Sequence, residues 1–137
     1  MSKITTSKNS KTLATVCAKL ASEKLAKNIL VMDLTEIETA PADFFVMCSC
    51  ESEPQMRSVC DNILRQNKKN GLERPRVEGE TTAEWILLDY FDVVVHIMLE
   101  EIRSFYMLEK LWIDANFYKF NVETNKLNKI KFTEIAN

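Results

Sequence analysis

Two short runs, "ILVMDL" (Ile29 to Leu34) and "FFVMCS" (Phe44 to Ser49), constrain the fold more than any other part of the chain. Each is almost wholly apolar and rich in β-branched or aromatic residues. Neither alternates in the way of a strand with one wet face, so each predicts a strand covered on both sides. A sheet covered on both sides needs helices. From about Lys11, the residues Leu13, Val16, Cys17, Leu20 and Ala21 recur at helical spacing and predict a first amphipathic helix ending near Asn28. A second helix is punctuated more sharply. Ser52 stands as N-cap with Gln55 three residues on and Pro54 in the first turn; Met56, Val59, Cys60 and Ile63 form the apolar stripe; Lys68, Lys69 and Gly71 close it.

The rest of the chain fills in around these elements. "PRVEGE" (Pro75 to Glu80) reads as a short strand or edge segment, and "EWILLDYFDVVVHIM" (Glu84 to Met98) as two strands joined by a tight connection. "EEIRSFYMLEKLW" opens with two acids suited to a helix N-terminus and carries Ile102, Phe105, Leu108 and Trp112 on one side. The order is α, β, β, α, β, β, β, α. It predicts a single α/β domain, with α+β as the variant, built on a mixed sheet of about five strands with flanking helices. Residues 1–10 read as a flexible arm, 11–115 as the domain, and 116–137 as a C-terminal extension without a clean period.

At 137 residues the chain can bury a core without metal or disulfide. A net charge of −2 and a pI of about 5.5 argue against broad electrostatic capture of nucleic acid, and no sequence-specific nucleic-acid contact is expected; a clustered local patch would evade that inference. Cysteines at 17, 48, 50 and 60 lack CxxC spacing, and one histidine cannot complete a zinc site, so reduced thiols in a cytoplasmic protein are expected. No apolar run approaches a membrane span. The lysines of the first 22 residues, without any acid, hint at a transit peptide, but the absence of arginine there favours a frayed tail.

The hairpin separates by faces. For a two-residue loop, either Tyr90 and Phe91 or Phe91 and Asp92, the residues Ile86 and Leu88 share a face with Val93, Val95 and Ile97, which belongs on the core. The opposite face holds Trp85, Leu87 and Asp89 beside Val94, His96 and Met98. It is too polar for an ordinary core and too apolar for an unpartnered surface. An interaction site anchored by tryptophan and a second core layer under a helix both fit these residue types.

Catalytic chemistry finds little support. His96 has no partner that spacing identifies as a nucleophile or base, and a structural histidine is the simpler reading. Cys48 and Cys50 lie on one side of their strand but lack further ligands. The acids Asp33, Asp43, Glu78 and Glu80 suggest Mg²⁺, yet Gly71 and Gly79 are the only glycines, too few for a phosphate-binding loop. No catalytic residue, metal or cofactor is therefore expected.

The segments "VMDLTEI", "ADFFVMCSCESEPQMRSVCDNI", "RVEGE", "EWILLDYFDVVVHIM" and "EEIRSFYMLEKLWIDA" resemble, in order and spacing, the ribosomal silencing factor family, also called the Iojap family. The resemblance runs from about Leu13 to Ala115. It implies a nucleotidyltransferase-like fold without transferase activity, and a translational repressor. Such a protein binds the large ribosomal subunit at the universal protein numbered fourteen and sterically blocks joining of the small subunit. Carried onto this chain, the family's docking pattern falls on Trp85, Leu87 and Asp89, with His96 and Met98 on the same face. Two positions depart from the family, which usually has glycine at Phe91 and often at Cys50. A Mg²⁺-dependent nucleotidyltransferase-like enzyme using Asp33 and Asp43, and a homodimeric module in which the hairpin face is the dimer contact, are the competing readings.

Overall fold

The computed structural model describes residues 7–135. Helix α1 (Ser7–Ser22) is followed by β1 (Lys27–Asp33), β2 (Phe44–Cys50), α2 (Glu53–Lys69), β3 (Arg76–Glu78), β4 (Trp85–Asp89) and β5 (Val93–Leu99). Helix α3 (Glu100–Tyr106), the one-turn α4 (Leu108–Leu111), β6 (Asn116–Asn121), β7 (Lys126–Ile130) and a short 3-10 turn (Phe132–Glu134) complete the chain. The sheet has seven strands, not five, in the order β3-β4-β5-β2-β1-β6-β7. The two added strands come from the segment expected to be an extension. They pair antiparallel with each other and extend the sheet beyond β1, with Leu30 opposite Lys119 and Met32 opposite Phe117.

Among the described residues only β2 and β5 run parallel, Phe44 opposite Val93 through Cys50 opposite Leu99. Helix α2 carries the chain from β2 over to β3, and the hairpin β4-β5 returns to fill the gap between them. The apolar runs from Ile29 and from Phe44 thus become β1 and β2 near the middle of the sheet. Every residue of β2 is buried.

One core lies between the sheet and helices α1 and α2: Ala14, Cys17, Ala21, Val46, Met56, Val59, Ile63 and, from the hairpin, Ile86, Leu88, Val93, Val95 and Ile97. The face assigned to the core by alternation is the one buried here. A second, smaller core occupies the other face, formed by Leu30, Met32, Phe45, Met47, Val94, Met98 and Phe117, with Ile37, Ile102, Leu108, Trp112 and Phe132 packed over it.

The helix ends follow local chemistry. Ser52 Oγ accepts from the Gln55 N–H at 3.3 Å, while the Gln55 side chain accepts from the Glu51 N–H at 2.8 Å, one residue earlier than a standard capping box. At the far end the Gly71 and Leu72 N–H groups bond the Lys68 and Asn67 carbonyls, a Schellman stop with Gly71 at φ 91°. Helix α1 begins at Ser7, inside the expected arm 1–10, and the part of that arm in residues 1–6 lies outside the described residues. It ends six residues before Asn28, because Leu25 takes the left-handed conformation at φ 66° and Ala26 N–H reaches back to Ala21. The expected long third helix is two: Met107, at φ 49°, closes α3 and opens α4. The break turns Phe105 outward to 77% exposure, off the apolar side it was expected to share with Ile102, Leu108 and Trp112.

Candidate docking face

The hairpin β4-β5 settles in one of the two registers the sequence allowed. Trp85 stands opposite Met98, Leu87 opposite His96 and Asp89 opposite Val94, with Phe91 and Asp92 at the tip. The turn is tight: Asp92 N–H bonds the Tyr90 carbonyl at 3.1 Å around Phe91 at φ 80°, the geometry of a rare classic γ-turn. Phe91 therefore carries the left-handed strain that glycine avoids, of order 1–2 kcal/mol. Its ring is 82% exposed, and the Asp89 carboxylate steadies the turn by accepting from the Phe91 N–H at 2.8 Å.

Behind the other end of β4, Gly79 is required by both conformation and space. It sits at φ 85°, and a Cβ there would lie 2.0 Å from the Trp85 carbonyl oxygen. That close approach fixes where the Trp85 backbone leaves the β3-β4 connection. The indole lies half-buried at the margin of the second core, its Nε1–H donating to His96 Nδ1 at 3.1 Å. His96 packs edge-on against Phe45 at 4.6 Å between ring centroids. Burial pushes its pKa down to about 4, so the ring is neutral near pH 7. Since Nδ1 accepts, the ring proton sits on Nε2, which is buried without a hydrogen-bond partner.

The five residues singled out in the sequence therefore separate by depth. Trp85, Leu87 and Asp89 are half-buried and present surface. His96 is 4% exposed and Met98 0%, so in this fold neither presents surface to a partner. Both lie on the predicted face, but that face is also the floor of the second core, and they support Trp85 from beneath. Alternation of residue types reports the side of a sheet and is blind to depth.

Three residues outside the sequence assignment join the margin. Tyr106 lies tilted against Trp85 with centroids 5.1 Å apart, Phe105 meets Tyr106 edge-on at 5.0 Å, and Trp112 lies edge-on to Phe45 at 6.3 Å. With Tyr106 at 53% exposure, an aromatic surface runs from β4 onto α3. Their aromatic character was the available signal; the break at Met107 that aims them was not visible.

The acids considered for Mg²⁺ do not form one cluster of three or more among the described residues. Asp33 accepts from the Thr35 N–H and hydroxyl, and Asp43 lies 3.4 Å from the Ser10 hydroxyl, both at one end of the β1-β2 pair. Glu78 is on the edge strand β3, ion-paired to Arg76 at 3.2 Å. Among the described residues no group of three or more His, Cys, Asp or Glu side chains could hold a metal ion. All four cysteines are buried free thiols, Cys17 pushed up to about 12 by burial. Among the described residues no helix is long and apolar enough to cross a membrane.

Fold and face together define a class: a single mixed α/β domain with an open sheet, one margin of which carries a half-covered tryptophan beside exposed aromatics. Comparison with known proteins narrows it. The model of the family described as ribosomal silencing factor during starvation matches residues 7–136, continuing past Ala115 through β6 and β7. The ribosomal silencing factor of Bacillus subtilis is 37% identical over 107 residues, 78% of this chain and 90% of that protein. The mouse protein named mitochondrial assembly of ribosomal large subunit protein 1 is 28% identical over 72% of this chain and 44% of its own length. Among solved structures, one from Bacillus halodurans superposes with a TM-score of 0.66 at 31% identity, covering 74% of this chain and 94% of that one. One from Chromobacterium violaceum gives 0.70 at 25% identity, over 74% and 84%. The chain belongs to the ribosomal silencing factor family.

Proposed function

We propose that this protein represses translation in the cytoplasm as a non-enzymatic steric inhibitor, docking on the large ribosomal subunit through the universal protein numbered fourteen and excluding the small subunit by its volume. The observation that carries the reading is the exposed half of Trp85, with Leu87 and Asp89, on a chain whose relatives are named ribosomal silencing factors. The indole is held in place by His96 and Tyr106, so little side-chain entropy is lost on docking. A large side chain taken fully out of water contributes about 1.5–3 kcal/mol; the half already covered in the free protein roughly halves that for Trp85. Leu87 and Tyr106 extend the apolar anchor. Asp89 spends one carboxylate oxygen on the Phe91 N–H and keeps the other for a lysine or arginine of a basic partner, where it sets orientation and association rate more than affinity.

Trp85→Ala tests this directly. The variant is expected to keep its fold by circular dichroism and to stop co-sedimenting with purified large subunits. Undiminished co-sedimentation would remove the proposal. A self-associating module would instead show a dimer by gel filtration that the substitution dissolves, with no effect on subunit binding.

A further inference from the structure

We propose that the opposite margin of the sheet, formed by α1 and the β6-β7 hairpin, is a docking surface for the phosphate backbone of duplex RNA. Charge is segregated along this chain. Residues 1–22 hold four lysines and no acid, and residues 116–137 four lysines against Glu123 and Glu134, a combined +6; the stretch between holds ten basic and eighteen acidic side chains, −8. The fold brings α1 and the β6-β7 hairpin, the described parts of these two basic stretches, together, because β6 pairs beside β1 on the side where α1 packs. Lys11 Nζ lies over the Tyr118 ring, 4.8 Å from its centroid, and Tyr118 stands opposite Lys129 across the hairpin.

The register places these cations on both sides of a narrow ridge. Lys129 shares a face with Tyr118 and Leu127, on the α1 side; Lys119 and Lys126 alternate with them and take the other side, with Asn128 opposite Lys119. Lys11, Lys119, Lys126 and Lys129 are exposed, and among the described residues none of them is in an ion pair. A flat charged surface cannot meet both rows at once. Two rows of phosphates flanking the wide, shallow minor groove of an A-form duplex can, and Asn128 is a donor and acceptor suited to the 2′-hydroxyls there. Lysines on an edge strand also serve to keep it from pairing with another copy. That role accounts for Lys126 and Lys129 on β7, but not for Lys119 on the inner strand or Lys11 on the helix.

The inference rests on the ribosomal reading for the source of the RNA, since a protein docked by Trp85 stands where structured RNA is abundant. Five strand spacings separate β4 from β7, about 24 Å, so both margins can be occupied together.

The test uses the full chain and a fluorescein-labelled RNA duplex of about 20 base pairs, with anisotropy read across a KCl series. Four phosphate contacts predict a log-log salt slope of about −3 to −4, an affinity loss of roughly sixty- to two-hundred-and-fifty-fold between 50 and 200 mM salt. The variant K11Q/K119Q/K126Q/K129Q should lose that binding and its salt slope while keeping its circular dichroism, and the corresponding four-arginine variant should retain both. The glutamine variant should also bind large subunits several-fold more weakly, whereas Trp85→Ala should leave duplex binding intact. Duplex binding that is absent in the wild type, or unchanged in the glutamine variant, overturns the inference. New oligomers of that variant with RNA affinity unchanged would assign the lysines to edge protection and overturn it too. Loss of subunit binding in Trp85→Ala alongside no effect of the glutamine variant would leave the docking proposal standing and remove this one; the converse result would do the reverse.

Discussion

His96 makes stability depend on acid in a way that can be isolated from every other group. In the unfolded chain its imidazole takes a proton near pH 6.5; in the folded protein burial holds that uptake back to about pH 4. The folded pKa is depressed, so the stabilisation is complete above the unfolded value and is lost as pH falls from 6.5 through 4. Integrating proton uptake between those limits gives a loss of about 2 kcal/mol by pH 5 and about 3 kcal/mol by pH 4. Carboxylates titrate in the same window and would obscure the effect in the wild type alone. The comparison is therefore with His96→Phe, which fills a similar volume, cannot titrate, and retains the edge-on packing on Phe45. Urea unfolding of both proteins at each half unit from pH 7 to 4, followed by circular dichroism, gives the stability difference at each pH, and the carboxylate contributions cancel. That difference should move by about 3 kcal/mol in favour of the phenylalanine variant from pH 7 to 4. Trp85 fluorescence supplies a second reading, because a protonated Nδ1 can no longer accept from the indole. A difference that stays flat with pH would mean that the imidazole is hydrated or paired in solution, and that the account of a dry support under Trp85 is wrong.

Three further substitutions probe the frame of the docking face. Gly79→Ala forces a Cβ into the Trp85 carbonyl at a positive φ, and should cost more than about 2 kcal/mol in denaturant unfolding; a near-neutral result would show that the β3-β4 connection moves freely. Phe91→Gly relieves strain of about 1–2 kcal/mol against an unfolded-chain entropy of up to about 1, so stability should hold or rise slightly although a phenyl ring is deleted. A clear loss would mean the exposed ring packs in solution. Arg103→Met removes bonds from Nη1 to the Asn28 carbonyl at 2.6 Å and the Ser49 hydroxyl at 2.9 Å, and should destabilise by about 2–3 kcal/mol; an unchanged midpoint would show that water replaces the guanidinium without penalty.

Legibility in the sequence followed how local each signal was. The strands β1 and β2 announced themselves because residues buried on both faces leave no polar interruption, and α2 because its caps and stripe fall within one contiguous stretch. The hairpin's two faces were equally plain, since pairing parity depends only on a short turn. The strands β6 and β7 were missed for a physical reason. Phe117 faces one core and Phe120 the other, as do Ile130 and Leu127, so sparse apolar residues at a spacing of three mimic neither period. Their turn also lacks glycine: Asn125 takes the left-handed position at φ 59°, and Asn121 bonds the Glu123 and Thr124 N–H groups. In the candidate site, the side of the sheet was readable and the depth was not. Whether His96 and Met98 reach the surface depends on the helices that follow, and the turn of those helices at Met107 is a backbone event in a methionine with no propensity for it.

The pairing of β1 with β6 also governs how this chain matures on the ribosome that makes it. Synthesis delivers β1 well before its second neighbour, so Leu30 and Met32 flank an open run of backbone donors and acceptors until Asn116–Asn121 has been made. A nascent chain stalled before Asn116 would expose that run as a template for cross-pairing with other copies. The β6-β7 hairpin therefore acts as a cover for β1: pairing moves the free edge of the sheet from the buried, apolar β1 to the lysine-bearing β7.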